Sequence, residues 1–244
     1  MEINFKGKNA VVTGAGKGIG RDVAKRLAAL GAHVVAISRT QADLDSLKTE
    51  VPSIETVAVD LADWAAARTA VAAIPNVDML VNNAGTNRLD KFLDVKEEDL
   101  DLVMDINFKA VFNVAQVVSR QMVDRKSGGA IVNVSSAASY RGLLDHAVYC
   151  ASKAAVDKLT NVMALELGQY KIRVNSVNPT VALTELGKIA WSDPVKADPM
   201  LARIPMGRFL EVSDIVDAIV YLLGDGASMV TGINLPVDGG LATS

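Results

Sequence analysis

Tyr149 and Lys153 stand four residues apart in the run Tyr149-Cys150-Ala151-Ser152-Lys153, so on a helix they share one face. A free phenol, with a pKa of about 10, is a poor base near neutrality. An ammonium group within a few ångström favours phenolate and draws the phenol toward the working range. Thirteen positions before Tyr149 an apolar run ends at Ser136, whose hydroxyl can hold a substrate oxygen and stabilise charge developing on it. The chemistry these three side chains could do together is proton transfer at a substrate oxygen. Taken alone, Tyr-x-x-x-Lys is also the pattern of a half-buried tyrosine beside a snorkelling lysine. Cys150 points about 100° away from Tyr149 on a helix, which gives it no catalytic role. The chain offers no clustered set of His, Cys and carboxylate ligands, so no metal is expected.

A second constellation lies near the N-terminus. The first apolar run leads into Thr13-Gly14-Ala15-Gly16-Lys17-Gly18-Ile19-Gly20, and a helical pattern follows at once. Glycines allow a sharp turn and close approach to a pyrophosphate, and the helix N-terminus supplies free N–H donors. The spacing is T-G-x-x-x-G-x-G and not G-x-G-x-x-G, because Ile19 stands where the latter needs glycine. At the end of the second apolar run an NAD site usually carries an acid for the ribose 2′-hydroxyl, but this chain has Ser38 and then Arg39. A guanidinium binds a 2′-phosphate that a carboxylate would repel, and Lys17 adds a second cation on that side. The pattern therefore favours NADP(H). Asp43 is near but belongs to the first turn of the next helix.

The elements that must hold these residues follow from periodicity. Ala10–Thr13, His33–Ser38, Glu55–Asp60, Asp78–Asn82, Gly129–Ser135, Ile172–Asn178 and Gly232–Val237 read as strands, several of them almost continuously apolar. Helical patterns occupy Ile19–Ala29, Gln41–Glu50, Trp64–Ala73, Glu97–Gln121, Ala147–Gly168 and Val212–Leu223. This alternation predicts an α/β fold in one domain over 1–244, a doubly wound parallel sheet of Rossmann type with helices on both faces. Between Pro179 and Pro205 the rhythm breaks, with further prolines at 194 and 199 and two short amphipathic stretches. A long connection after a strand is either a lid, here around 182–205, or a surface insertion.

Composition sets the class. Half of the 244 residues are apolar and 22% are charged, enough for a large core. The balance of 25 Lys+Arg against 28 Asp+Glu gives no basic footprint for nucleic acid or a membrane surface. The lone Cys150 fits a reducing compartment. No signal peptide pattern precedes the first strand, and no stretch reads as a bilayer span. The expectation is a cytoplasmic protein.

In order and spacing, TGAGKGIG (Thr13–Gly20), Asp60, NNAG (Asn82–Gly85), Asn107, Ser136, YCASK (Tyr149–Lys153) and Asn178-Pro179-Thr180 resemble the short-chain dehydrogenase/reductase family over the whole chain. The resemblance implies a catalytic tetrad of Asn107, Ser136, Tyr149 and Lys153. In it Tyr149 is the acid in reduction, and Lys153 binds the nicotinamide ribose and lowers the tyrosine pKa. Ser136 orients the carbonyl, and Asn107 holds a water linking Lys153 to solvent. It further implies cofactor contacts from Gly14, Lys17, Gly18, Ile19, Gly20, Arg39, Thr40, Asp60, Leu61, Asn83, Val181 and Thr184. The stretches SRTQADLDSL, VMALELG, KIRVNSVNPTV, WSDP and IPMGRF resemble the family's reductases of small sugars and dicarbonyls. That implies NADPH-dependent reduction of L-xylulose to xylitol and of α-dicarbonyls such as diacetyl, by a cytoplasmic homotetramer. The shared machinery also serves 3-oxoacyl thioesters or steroids, and an inactive relative would be an NADP(H)-binding sensor. For the substrate pocket the candidates are His146, either facing the substrate or on the surface, Trp191, either pocket wall or lid anchor, and Leu143.

Overall fold

Strands with apolar residues on both faces need a helical layer on each side, and the chain provides them. The computed structural model describes residues 3–243. Among these, seven strands form one sheet: β1 (Asn9–Thr13), β2 (His33–Ser38), β3 (Glu55–Ala58), β4 (Met79–Asn82), β5 (Gly129–Val134), β6 (Ile172–Pro179) and β7 (Asn234–Val237). Their order is β3-β2-β1-β4-β5-β6-β7 and every pair is parallel. The helices are α1 (Gly18–Ala29), α2 (Gln41–Glu50), α3 (Trp64–Ala72), α4 (Glu97–Met104), α5 (Ala110–Arg125), α6 (Ala147–Leu167), α7 (Glu185–Ala190), α8 (Pro194–Leu201) and α9 (Val212–Leu223).

The two-residue alternation of the strands divides the core. Val12, Ala36, Val81 and Val132 face a cluster with Leu27 of α1, Leu44 of α2 and Ile219 of α9. Val11, Val35, Leu80 and Ile131 point the other way, to Val71 of α3, Val118 of α5 and Ala164 of α6. This is the doubly wound, single-domain fold expected. The order in which strands are added reverses between β1 and β4, and the crevice beyond their C-terminal ends is where such sheets bind ligands.

Two expectations about the middle of the chain need correction. The pattern Glu97–Gln121 is not one helix: a π turn at Asp105–Lys109 separates α4 from α5. One extra residue in a turn leaves the apolar period almost unchanged, so periodicity cannot see it. The run Glu97–Arg125 also has the length and composition to cross a membrane, contrary to the reading that no stretch comes near. More than half of its most apolar window is buried, Asn107 and Asn113 within it are fully buried, and α5 packs along α3. It is a core helix.

Candidate active site

The Gly-rich turn takes its shape from its neighbours. Gly14 has φ +64°, and a Cβ there would stand 2.8 Å from the Ala84 Cα. Asn83 at the end of β4 closes over the turn, its amide donating to the Thr13 carbonyl at 3.0 Å and the Gly14 carbonyl at 3.2 Å. Thr13 Oγ1 accepts from the backbone N–H of Asn83 and Ala84. A Cβ on Gly20 would run into that same Asn83 side chain. Gly18 opens α1, Ile19 packs into the core, and the first turn carries no acid and no side-chain cap, so its N–H groups are free for an anion.

The residues expected to meet the adenosine stand at the tips of β2 and β3. Arg39 is largely exposed, and among the described residues Asp60, at 4.0 Å, is its ion-pair partner. Thr40 stands at the N-cap of α2 without a capping bond. Asp60 Oδ1 accepts from the Ala62 N–H at 3.0 Å, and Leu61 behind it is buried. Lys17 differs from expectation: it pairs with Asp43 at 3.2 Å, because the first turn of α2 carries that carboxylate to the Gly-rich turn. The lysine is 76% exposed and the pair is weak, so a phosphate can still draw it. A cleft of about 870 Å³ lies against Gly16–Gly18 and reaches Thr184 and Lys188, with Arg39, Asp60, Ser136 and Tyr149 outside its walls. These residues fit a phosphorylated dinucleotide.

The second constellation assembles at the tips of β5 and β6. Ser136 caps the 3₁₀ turn Ala137–Ser139, its Oγ accepting from the Ala138 N–H at 3.1 Å. Tyr149 and Lys153 sit one turn apart in α6, with Lys153 Nζ 5.7 Å from the centre of the tyrosine ring. Lys153 is 4% exposed and donates to the Val134 carbonyl at 2.9 Å. Burial pulls its pKa down to about 8, against the opposing pull of Asp157. The Tyr149 phenol is raised, first by burial, while the Ser136 hydroxyl pulls it down and Cys150 adds to the rise. The lowering expected from Lys153 is therefore not found. Its ammonium is aimed at the Val134 carbonyl, and desolvation of the phenol dominates.

Asn107 lies in the π turn and is fully buried. Its Oδ1 accepts from the Thr86 N–H at 2.8 Å, and its Nδ2 donates to the Thr86 carbonyl at 2.9 Å and to Ser152 Oγ at 3.0 Å. It therefore clamps the segment after β4 to α6, a role sequence reasoning did not assign. Ser152, inside the Tyr149–Lys153 run, was the available signal.

The expected pocket residues divide. His146 stands at the N-cap of α6 with its ring edge-on to Tyr149, centroids 6.1 Å apart, and its Nδ1 2.6 Å from the Leu144 carbonyl. Leu143 is exposed in the turn just before it. Trp191 packs on Phe209 at 5.3 Å, lies beneath Lys196 Nζ at 4.7 Å, and joins Ala197, Ile204 and Leu241 in a cluster that reaches Ala137. Val181 packs against the same cluster, and Thr184 caps α7 by accepting from the Gly187 N–H at 3.1 Å. The 182–205 segment is thus anchored on the turn that follows Ser136.

Residues 8–194 match the model of the short chain dehydrogenase family. The chain belongs to that family. This short-chain dehydrogenase is 57% identical over 244 residues to the L-xylulose reductase of Bos taurus, with all of both chains covered. It is 54% identical over 243 residues to the D-erythrulose reductase of Gallus gallus, covering 100% of this chain and 99% of the other. Among solved structures it superposes on a gluconate 5-dehydrogenase from Burkholderia cenocepacia in complex with NADP and tartrate, with a TM-score of 0.93 at 32% identity, covering 100% and 98%. Like its family, the chain is an oxidoreductase acting on CH–OH and C=O groups.

Proposed function

We propose that the protein is an NADPH-dependent reductase of small carbonyl compounds, converting L-xylulose to xylitol and reducing α-dicarbonyls such as diacetyl. The full-length similarity to enzymes named for ketose reduction carries the substrate class. Arg39, Lys17 and the free N-terminus of α1 support the 2′-phosphorylated cofactor. NADPH, when bound, supplies the hydride.

The chain's own residues do the rest. Ser136 holds the carbonyl oxygen, and Tyr149 beside it gives up its phenolic proton to the alkoxide as charge builds. A phenol kept protonated by burial is suited to donate, which fits the reductive direction. Lys153 binds the nicotinamide ribose hydroxyls and offsets the developing phenolate. Asn107, with Oδ1 capacity beyond its Thr86 bond, holds the water that reconnects Lys153 to solvent. His146 must carry its proton on Nδ1 to bond the Leu144 carbonyl, which leaves Nε2 an acceptor for a second substrate hydroxyl. Leu143 and the lid at 182–205, anchored through Trp191, complete the wall.

Initial rates with NADPH or NADH and with L-xylulose, diacetyl or an acetoacetyl thioester test the reading. Fast NADPH oxidation with the first two substrates is expected. A preference for the thioester would keep the mechanism and discard the substrate class, and no turnover with any carbonyl would leave a cofactor-binding protein. The assembly is a homotetramer in the cytoplasm, supported by apolar side chains that α5 and α6 turn outward, namely Phe112, Val162 and Leu165.

A further inference from the structure

The face of α6 that carries Tyr149 and Lys153 continues past the lysine. Asp157 follows at the next i, i+4 step, one turn deeper. It is 9% exposed, a setting carboxylates rarely occupy without partners. Its Oδ1 accepts from Ser176 Oγ at 3.1 Å and its Oδ2 from Asn178 Nδ2 at 2.7 Å, both on β6. Asn178 Nδ2 also reaches Ser139 Oγ at 2.8 Å and the Ser136 carbonyl at 3.3 Å. Ser176 Oγ in turn lies 2.9 Å from Asn178 Oδ1 and 3.0 Å from Asn234 Oδ1. All these partners are neutral, as is the Val134 carbonyl that holds Lys153. Two opposite charges are therefore buried one turn apart, each held by uncharged groups.

We propose that Asp157 is a positioning residue of this active site: its carboxylate is the buried counter-charge that keeps Lys153 an ammonium, and through Asn178 it fixes the turn that presents Ser136. The proposal rests on the reductase reading above.

The surroundings of the lysine leave little else to do this. Toward its Nζ, β5 offers a carbonyl, the π turn the Asn107 amide, and the segment after β4 only Gly85. Among the described residues the titratable groups that face it are Tyr149 and Asp157, with Cys150 beside the tyrosine. From β6, Ser176 and Asn178 face the carboxylate and do not titrate in the working range. On its other side Tyr140 feels the Asp157 charge and is itself bonded to Asp238 at 2.9 Å. Burial alone lowers the Lys153 pKa, and Asp157 is the group that raises it.

Asp157→Asn and Asp157→Glu in the full chain test this. In the wild type, kcat/KM with NADPH and diacetyl should fall as pH rises through about 8, where Lys153 loses its charge. In Asp157→Asn that alkaline limb should move down by about one pH unit, and Asp157→Glu should bring it back. A loss of rate and Tm with the limb unmoved would reduce Asp157 to a structural residue and overturn the proposal.

Thermal unfolding of the cofactor-free protein against pH gives a readout independent of any substrate. A lysine with a depressed native pKa is protonated in the unfolded state while neutral in the native one between the two pKa values. Native stability from this group therefore rises with pH from about 8 toward 10.5. In Asp157→Asn the rise should begin at lower pH. Curves that run parallel would overturn the proposal even in a protein that reduced no carbonyl, so its failure is separable from failure of the reductase reading. Should Asp157→Asn not fold, Asp157→Ser removes the charge with a smaller side chain that keeps a hydroxyl, and carries the same expectations.

Discussion

Tyr149 gives the sharpest expectation at the scale of single residues. Tyr149→Phe keeps the ring that packs on His146 and Lys153 but removes the transferable proton. Turnover should fall by roughly 10²–10⁴, while NADPH affinity, followed by fluorescence, stays close to wild type. Retained turnover would sink the assignment. Arg39 is largely exposed and its ion pair with Asp60 is long, at 4.0 Å, so its guanidinium is available to a 2′-phosphate. A hydrogen bond to a charged group contributes about 1.5–3 kcal/mol, so Arg39→Ala should raise KM for NADPH by on the order of ten- to a hundredfold and leave KM for NADH nearly unchanged. Equal losses with both cofactors would mean that Arg39 does not read the phosphate. His146→Leu separates substrates in the same way: KM for the polyhydroxylated L-xylulose should rise, and KM for diacetyl, which has no hydroxyl to donate to Nε2, should hardly move.

Among the elements, the π turn and the segment proposed as a lid brace the site from outside the helix that carries Tyr149 and Lys153. Asn107 ties both backbone groups of Thr86 and the Ser152 hydroxyl together from inside that turn. Asn107→Ala would take the side-chain partner from the half-buried N–H and carbonyl of Thr86, while the Ser152 hydroxyl keeps its bond to the Tyr149 carbonyl. An unmet group costs about 1–3 kcal/mol when shielded from water, and urea unfolding should show a loss at the low end of that range. An unchanged unfolding midpoint would mean that Thr86 finds other partners. Trp191 fixes the lid through Phe209 and Lys196, so Trp191→Ala should raise KM for the carbonyl and leave cofactor binding in place. Elements bounded by strong local signals were legible in the sequence: β2, α2 and α9 begin and end where their patterns do. Others were trimmed by tertiary contacts. β3 stops at Ala58, short of the expected Asp60, whose side chain turns back to the Ala62 N–H. β7 begins at Asn234, after Gly232 takes a φ of +78°.

At the scale of the whole molecule, the sheet brings to its C-terminal edge two constellations more than a hundred residues apart. Chain order cannot do that; the reversal at β1 and β4 and the parallel register of β4, β5 and β6 do. The apolar side chains left outside both cores, Leu165 of α6 at 84% exposed among them, bear on assembly. Light scattering should report a tetramer, and Leu165→Glu should lower the mass if α6 lies at an interface. A monomeric wild type would instead make these residues ordinary exposed apolar surface.

By itself the sequence determined the fold class, the Gly-rich turn, the absence of an acid after β2 and the pairing of Tyr149 with Lys153. Each of these is a local matter of period, spacing or residue type. Only the tertiary structure decided the electrostatics. Lys17 meets Asp43 because α2 folds back on the turn, and Tyr149 is raised because its surroundings are desolvated. Asp157 was in reach of the same i, i+4 rule that picked out Tyr149 and Lys153. Its burial, and the β6 partners that hold it, belong to the packed sheet. Charge in a protein depends on solvent access and on neighbours distant in sequence, and neither is written in a local pattern.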